Sequence, residues 1–202
     1  MTLCALSMIA IGASAGGPTA IAKLLAGLPP DLPAAVVIIQ HLDASFAVDL
    51  ADWLANESSL PVRIAKEFDR PEPGLVLLAG TNDHLRVTAK QCLCYTPDPR
   101  ELAYRPSVDV FFESVSAQWA GRAIGVLLTG MGRDGARGLQ VLRDRGHHTI
   151  AQDEATSVIY GMPKAAVVLG AAAEILPLER IAPRLAELCG SKGAIRRNPV
   201  GR

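Results

Sequence analysis

Short apolar runs alternate along the chain with longer stretches in which apolar residues recur at helical spacing. Runs that are apolar enough for strands covered on both faces occupy residues 4–11 (CALSMIAI), 34–40 (AAVVIIQ), 60–65 (LPVRIA), 123–130 (AIGVLLTG) and 148–152 (HTIAQ). Alternation of strands and helices is typical of βαβ units. The pattern therefore predicts an α/β fold with a doubly wound, largely parallel sheet flanked by helices.

Helical periodicity fills the intervals between these runs. It predicts helices within residues 19–28, 46–56, 106–120, 139–146, 163–170 and 179–189. Pro18 suits the first turn of the first helix, where a missing N–H costs nothing, and Gly27 with Pro29 and Pro30 ends it. Ser107 is the expected N-cap of the third helix, and Asp109 lies in its first turn, where negative charge is favourable.

The middle of the chain, residues 67–104, departs from this alternation. Gly, Pro and Asp break it into short pieces at residues 74–79 (GLVLLA), 84–87 (HLRV) and 91–95 (QCLCY). Such pieces predict a small antiparallel hairpin or meander inserted in the α/β pattern. Residues 190–202 show no periodicity. We therefore expect one folded domain over residues 1–189, followed by a flexible tail over residues 190–202.

Composition narrows the class of protein. The 202 residues are half apolar, which is enough for one domain with a sizeable core. Twenty basic residues balance twenty acidic ones, so no overall field attracts nucleic acid, and we expect no nucleic-acid partner. The four cysteines lack CxxC spacing, which argues against a zinc knuckle and fits reduced thiols in a cytoplasmic protein.

The first apolar run ends in Ala13-Ser14-Ala15 and so imitates a secretory cleavage site. A signal peptide requires basic residues ahead of its apolar run, but no Lys or Arg precedes this one. The apolar runs elsewhere, such as residues 34–39 (AAVVII), fall far short of a membrane span. We therefore expect a soluble, cytoplasmic chain without membrane insertion.

Three reactive side chains follow three of the predicted strands. Ser14 follows the first, His41 the second and Asp134 the strand at 123–130. In open α/β sheets the site lies outside the carboxyl ends of the strands. A serine becomes a nucleophile when a base takes its proton and a third group orients that base, and these three residue types fit the three roles. Gly12-x-Ser14-x-Gly16 also matches a nucleophile elbow.

Each of these signals has a simpler interpretation when taken alone. G-x-S-x-G recurs by chance in small-residue loops, a histidine at a strand end is often structural, and Asp134 fits as the cap of the helix that follows it. A dinucleotide fingerprint and a P-loop both lack their required residues, and His41, Asp43, His84 and Asp134 lack helical metal-ligand spacing. No cofactor or metal is expected. The joint occurrence of the three side chains favours the triad.

Five stretches carry a family resemblance. Residues 11–20 (IGASAGGPTA), 38–47 (IIQHLDASFA), 105–112 (RPSVDVFF), 127–139 (LLTGMGRDGARGL) and 151–163 (AQDEATSVIYGMP) resemble, in order and spacing, the catalytic domain of the bacterial chemotaxis protein-glutamate methylesterases (CheB). The resemblance runs from about Leu6 to Leu178. It implies hydrolysis of glutamate γ-methyl esters on the cytoplasmic helices of chemoreceptors, often with deamidation of glutamines.

The resemblance also assigns roles to residues. It implies that Ser14 is the nucleophile, His41 the general base and Asp134 the residue that orients His41, with the N–H groups of Ala15 and Met131 as oxyanion donors. Because receptor helices in this family are acidic near their methylation sites, Arg105, Arg133 and Arg137 are candidate docking residues, although solvated surface charge is the more common explanation for any one of them. Tyr160 and Met162 are candidates for the pocket wall, with burial in the core as the alternative.

Three departures from the family pattern affect the expectations. Ala15 stands where the family usually has threonine, and Leu42-Asp43 where a Met-Pro pair often follows the histidine. Asp43 adds a negative charge near His41, which is expected to raise the pKa of that histidine. Typical members also carry an amino-terminal receiver domain, whereas this sequence starts at the first catalytic strand, so we expect constitutive activity or gating by a separate regulatory protein. A non-catalytic binding module, or an esterase for another substrate, remains the alternative.

Overall fold

The computed structural model describes residues 6–190. Within that range the strands are β1 (Ser7–Ala13), β2 (Ala34–Gln40), β3 (Val62–Ile64), β4 (Val76–Leu78), β5 (His84–Val87), β6 (Leu93–Thr96), β7 (Ala123–Leu127), β8 (His148–Gln152) and β9 (Glu174–Leu176). Seven of them form one parallel sheet in the order β3-β4-β2-β1-β7-β8-β9, while β5 and β6 pair antiparallel on their own. The predicted fold class, including the antiparallel insertion, is confirmed.

Helices connect the strands of the sheet. They are α1 (Gly17–Ala26), α2 (Ala47–Glu57), α3 (Val108–Gln118), α4 (Ala136–Asp144), α5 (Met162–Val168) and α6 (Leu178–Cys189), and a 3-10 turn at Ala44–Phe46 precedes α2. The bounds of each helix lie within two residues of a predicted helix, except that α4 begins three residues earlier than predicted. The expected N-cap of α3 is also present, because Ser107 Oγ accepts the Val110 N–H.

The two faces of the sheet support separate cores. Alternate residues of β1 point to opposite faces: Ile9 and Ile11 pack with α1, α2 and α6, whereas Met8 and Ala10 pack with α3, α4, α5 and the β5-β6 hairpin. Because both faces are covered, the central strands are apolar without alternation, as in β2, where every residue is buried. Polar side chains are therefore left to the ends of the strands, and that is where the candidate site lies.

Two strands differ from the sequence prediction. Residues 76–78 were expected in the antiparallel insertion, but β4 pairs parallel with both β2 and β3 inside the main sheet. The insertion is confined to β5 and β6. The edge strand β9 was not predicted at all. Both strands are three residues long, which is too short for a period to be visible in the sequence.

Two further expectations concern the C-terminal tail and insertion into a membrane. Gly190, in a left-handed conformation with φ 73°, ends α6, and the rest of the tail predicted over 190–202 lies outside the described residues. Among residues 6–190, no helix has both the length and the hydrophobicity that crossing a bilayer requires.

Candidate active site

Ser14 lies at a sharp turn between β1 and α1. Its backbone N–H donates to Thr129 O at 3.0 Å, and its carbonyl accepts the Gly17 N–H at 2.8 Å. Gly16 precedes the helix with φ 77°, and a Cβ at this position would lie 2.6 Å from Val158 Cβ. Glycine is therefore required by backbone conformation and by space. This is the strand-to-helix turn that G-x-S-x-G predicts.

His41 lies beside Ser14 because of the register between β1 and β2. Ala13 pairs with Gln40, and the His41 N–H donates to Ala13 O at 3.0 Å, so both side chains leave the sheet at the next position. Gln40 also joins the two turns directly: its Nε2 donates to Ser14 O and to His41 O, each at 3.0 Å. Gln40 is buried, and this clamp was not foreseen. A lone polar residue at the end of the apolar run 34–40 was its signal in the sequence.

Asp134 reaches His41 from the loop between β7 and α4. His41 Nε2 and Asp134 Oδ2 are 2.8 Å apart, and both side chains are only 9% exposed. The carboxylate also accepts the Val108 N–H at 2.7 Å, the Asp109 N–H at 3.1 Å and the Ser107 hydroxyl at 2.8 Å. It therefore caps α3, and not α4 as the simpler sequence interpretation held. The partially positive amino end of a helix favours an anion at this position.

Opposing effects act on the pKa of Asp134. Burial alone raises the pKa of this carboxyl, but the hydrogen bonds from His41, the Val108 N–H and the Ser107 hydroxyl outweigh burial and hold the pKa below its ordinary value. The carboxylate is thus ionised at neutral pH. An ionised carboxylate can only accept a hydrogen bond, so Nε2 carries the hydrogen and donates it to Asp134, which leaves Nδ1 as the basic nitrogen of the imidazole.

His41 Nδ1 is buried and has no hydrogen-bond partner among the described residues. A buried polar atom without a partner is unfavourable and is often found where a substrate or a reacting group completes the site. Since Nε2 faces Asp134, Nδ1 is the ring nitrogen that remains unpaired among these residues. The structure therefore pairs His41 with Asp134 and places Ser14 on the turn next to His41.

The oxyanion candidates lie on the two loops that flank Ser14. Within the described part of the chain, neither the Ala15 N–H nor the Met131 N–H donates a hydrogen bond to another protein group. Between these loops the buried Thr129 acts as a tie, because its Oγ1 lies 3.0 Å from Ala15 O and accepts the Ile159 N–H at 2.9 Å. Two unpaired N–H groups held beside a serine can stabilise a negatively charged oxygen.

Gly130 allows these loops to approach. A Cβ at this position would lie 2.8 Å from Ser14 Cβ and closer still to Met162 Sδ. Met162 is fully buried, so the expectation that it lines the pocket wall is wrong; it supports Gly130 from within the core. Tyr160 is half-buried and pairs through its backbone with Gly130, so its role at the pocket wall stays a prediction.

The three arginines differ in their surroundings. Arg105 is exposed and lines a cavity of about 450 Å³ together with His41, Asp43, Asn82 and Tyr104. Arg133 is exposed beside a second cavity of about 240 Å³, on the Asp134 side. Arg137 borders the same cavity, but its guanidinium is paired with Glu113 at 2.8 Å. Arg105 and Arg133 are thus better placed than Arg137 to meet an acidic substrate.

Tyr104, like Gln40, was missed by the sequence analysis. Its ring stacks on the His41 imidazole, with centroids 4.4 Å apart and planes inclined by 1°. It belongs to the irregular segment before α3, where no periodic pattern marks it. Its place directly ahead of Arg105, which was singled out, is the one hint that the sequence contains.

Two other polar residues have structural roles. Asp43 is exposed and accepts from the Ser45 N–H and hydroxyl, and these hydrogen bonds lower its pKa. It thereby caps the 3-10 turn. His84 is fully buried between Pro99 O and the Ser107 N–H, and it supports the residue that binds Asp134. Among residues 6–190, no group of three or more His, Cys, Asp or Glu side chains is arranged to hold a metal ion.

Comparison with known proteins gives consistent results. The profile of the CheB methylesterase family matches residues 9–185. Two relatives named protein-glutamate methylesterase/protein-glutamine glutaminase are 63% identical over 183 residues, in Cupriavidus metallidurans, and 60% identical over 190 residues, in Cupriavidus pinatubonensis. These alignments cover 91% and 94% of this chain but 54% and 56% of the relatives, so the chain spans about half their length.

A solved structure extends the comparison to the fold. The crystal structure of the Thermotoga maritima CheB methylesterase catalytic domain superposes with a TM-score of 0.87 at 32% identity. The match covers 91% of this chain and 98% of that chain.

Proposed function

This chain belongs to the CheB methylesterase family, and from that premise we propose that it hydrolyses glutamate γ-methyl esters on the cytoplasmic helices of chemoreceptors. Deamidation of glutamine is the corresponding reaction on an amide. The proposed substrate places the reaction in the cytoplasm, and the proposed catalytic domain comprises residues 1–189. The observation that carries the proposal is His41 Nδ1, which is buried and has no hydrogen-bond partner within residues 6–190, while the other ring nitrogen is paired with Asp134 at 2.8 Å.

The proposed reaction has two halves. Ser14 Oγ attacks the ester carbonyl while its proton passes to His41 Nδ1, and the tetrahedral oxyanion is bound by the Ala15 and Met131 N–H groups. Each such donor is worth about 3 kcal/mol in comparable sites. The C–O bond then breaks, and methanol leaves with the proton from His41. Water, deprotonated by His41, attacks the acyl-enzyme and releases glutamate and free Ser14.

Asp134 keeps His41 in the tautomer that this sequence of steps needs. With Nε2–H held by the carboxylate, Nδ1 is the basic nitrogen, and the positive charge that develops on the ring faces an ionised partner. The amino end of α3 and the Ser107 hydroxyl keep that carboxylate ionised. Docking of the acidic receptor segment is proposed to involve Arg105 and Arg133, with a separate regulatory protein as a further proposed partner.

The experiment that tests the proposal is methanol release from methyl-labelled receptor membranes. We expect release by the native chain and none by Ser14→Ala, whose thermal midpoint stays near the native one because Ser14 Oγ makes no hydrogen bond among the described residues. Ser59→Ala, which changes an exposed serine after α2, is the matched control and should keep its activity. Release by Ser14→Ala would refute the proposal. Failure of an active-site serine reagent to label Ser14 would favour a binding module instead.

A further inference from the structure

Tyr104 covers one face of the His41 ring. The planes are parallel within 1° and the centroids are 4.4 Å apart, so the two rings overlap face to face. No other ring contact of His41 occurs among the described residues. Tyr104 itself is 41% exposed, so it reaches this position from the surface and not from the core.

Tyr104 borders both cavities of the site. Its ring borders the cavity that contains Arg105 and Asp43 as well as the cavity that contains Arg133 and Asp134. Its hydroxyl lies against the loop that carries Met131, because a Cβ at Gly132 would be 3.4 Å from Tyr104 Oη. Tyr104 therefore separates the two cavities and extends from the base to the loop with the oxyanion candidates.

Besides Tyr104, few charged groups among the described residues lie near His41. Asp134 contacts its edge at Nε2. Asp43 and Arg105 line the same cavity, but the Asp43 carboxylate is occupied by Ser45 and by Asn82. The face of the imidazole is thus in contact with the π-system of one tyrosine. A cation within about 6 Å of an aromatic centroid is attracted to the negative face of the ring, and a neutral imidazole gains much less.

We propose that Tyr104 is a positioning residue of this site, which acts through His41 by stabilising the imidazolium that forms when this base takes the Ser14 proton. The proposal rests on the proposed role of His41 as general base. The contact is already made in the free protein, so no rearrangement is needed when the charge appears. Tyr104 also holds the imidazole plane so that Nε2 stays on Asp134 and Nδ1 stays free.

Three variants separate this role from simple shielding. Tyr104→Phe keeps the ring, Tyr104→Leu keeps an apolar cover but removes the π-system, and Trp53→Leu is the control, since Trp53 is exposed to a matching 40% on α2. The midpoint of the His41 titration is read by NMR in the free protein. Tyr104→Leu should move this midpoint to lower pH by about half a pH unit or more, because the imidazolium loses its stacking partner. Tyr104→Phe should restore the midpoint, and Trp53→Leu should not move it.

Kinetic measurements provide a second, independent test of the role of Tyr104. With Tyr104→Leu, kcat for methanol release should fall by about 3- to 10-fold with a smaller change in KM. An unchanged or raised midpoint in Tyr104→Leu would overturn the proposal, since a residue that only excludes water would give that result. The NMR titration needs no turnover, so it decides the role of Tyr104 even if methanol release shows that the proposed activity itself is wrong.

Discussion

Asp109 and Asp134 cap each other's helices. Asp134, which lies just ahead of α4, accepts the N–H groups of Val108 and Asp109 at the start of α3, and the Asp109 carboxylate accepts the Gly138 N–H in the first turn of α4 at 2.6 Å. Two helices that pack against the same face of the sheet are thus joined at their amino ends. The position of Asp134 relative to His41 is therefore set by the helix pair and not by its own loop alone.

The first prediction concerns Asp134→Asn. The two oxygens of the Asp134 carboxylate accept four hydrogen bonds. An asparagine has only one oxygen, so either His41 or the start of α3 faces its NH₂ group. We expect kcat to fall by about 10⁴-fold, because His41 loses the partner that fixes its tautomer. Unfolding in urea should show a loss of about 1–3 kcal/mol. Asp52→Asn, an exposed site on α2, is the control, and activity above a tenth of the native value in Asp134→Asn would contradict the prediction.

The second prediction concerns the pH dependence of stability. Burial raises the pKa of Asp109 to about 6 despite the hydrogen bond from the Gly138 N–H. Because the folded protein binds this proton more tightly than the unfolded chain, the charged form costs stability above pH 6, and the cost disappears as the pH falls towards 4. Asp109→Asn keeps an acceptor for Gly138 without the charge.

We therefore expect Asp109→Asn to be more stable than the native chain by about 1 kcal/mol at pH 7.5, a value reduced from the full shift because the half-buried carboxylate is partly screened by solvent. At pH 4.5 the two proteins should be nearly equal. Urea unfolding at both pH values measures the difference. A native chain that is the more stable of the two at pH 7.5 would show that the charge is favourable in the fold.

The third prediction concerns Gly130→Ala. The new Cβ meets both Met162 Sδ and Ser14 Cβ, so we expect a loss of about 1–3 kcal/mol in stability together with displacement of Ser14 and loss of activity. Adding Met162→Ala removes the first collision but not the second. Because Met162→Ala also leaves a cavity in the core, the double variant should not regain native stability, but it should lose less than the sum of the two single variants while methanol release stays low. Recovery of methanol release in the double variant would mean that Gly130 is needed for packing alone.

The fourth prediction concerns Gln40→Met, which preserves the shape of the side chain and removes its two donated hydrogen bonds. Leaving Ser14 O and His41 O without this donor should cost about 1–3 kcal/mol and lower kcat, since the two turns are no longer tied. Thr149→Val is the matched control, because Thr149 is a fully buried residue of β8 whose hydroxyl donates to Ala171 O. It should lose similar stability but keep kcat. Equal kcat values for the two variants would argue against the clamp.

The sequence predicts the site well where chemistry coincides with the end of a strand. Ser14 and His41 follow β1 and β2, which are long, apolar and bounded by small or polar residues, so their placement on one edge of the sheet follows from the pattern alone. Asp134 also follows a strand, but it lies further along the chain, in the loop between β7 and α4. The sequence does not show that Asp134 is bonded to the start of α3, because that contact joins segments whose relation depends on the packing of two helices.

The remaining features depend on tertiary contacts without a local signal. Tyr104 stacks on His41 from an irregular segment, and a single aromatic residue there has no period to mark it. Met162 carries the same apolar character whether it lines a pocket or fills the core, and only the fold decides between these. β4 reads as part of the insertion because Gly and Pro surround it, although parallel neighbours on both sides place it inside the sheet.

The pairing of Ala13 with Gln40 has a consequence for how this protein tolerates change. Since the alignment of two adjacent strands sets the spacing between the two proposed groups, the nucleophile and the base, the turn at residues 27–33 between α1 and β2 contributes no geometry of its own to the reaction. Lengthening the exposed part of that turn, around Pro30, should be harmless, whereas shifting β2 by a single position would exchange the side chains between its two faces and separate the two groups.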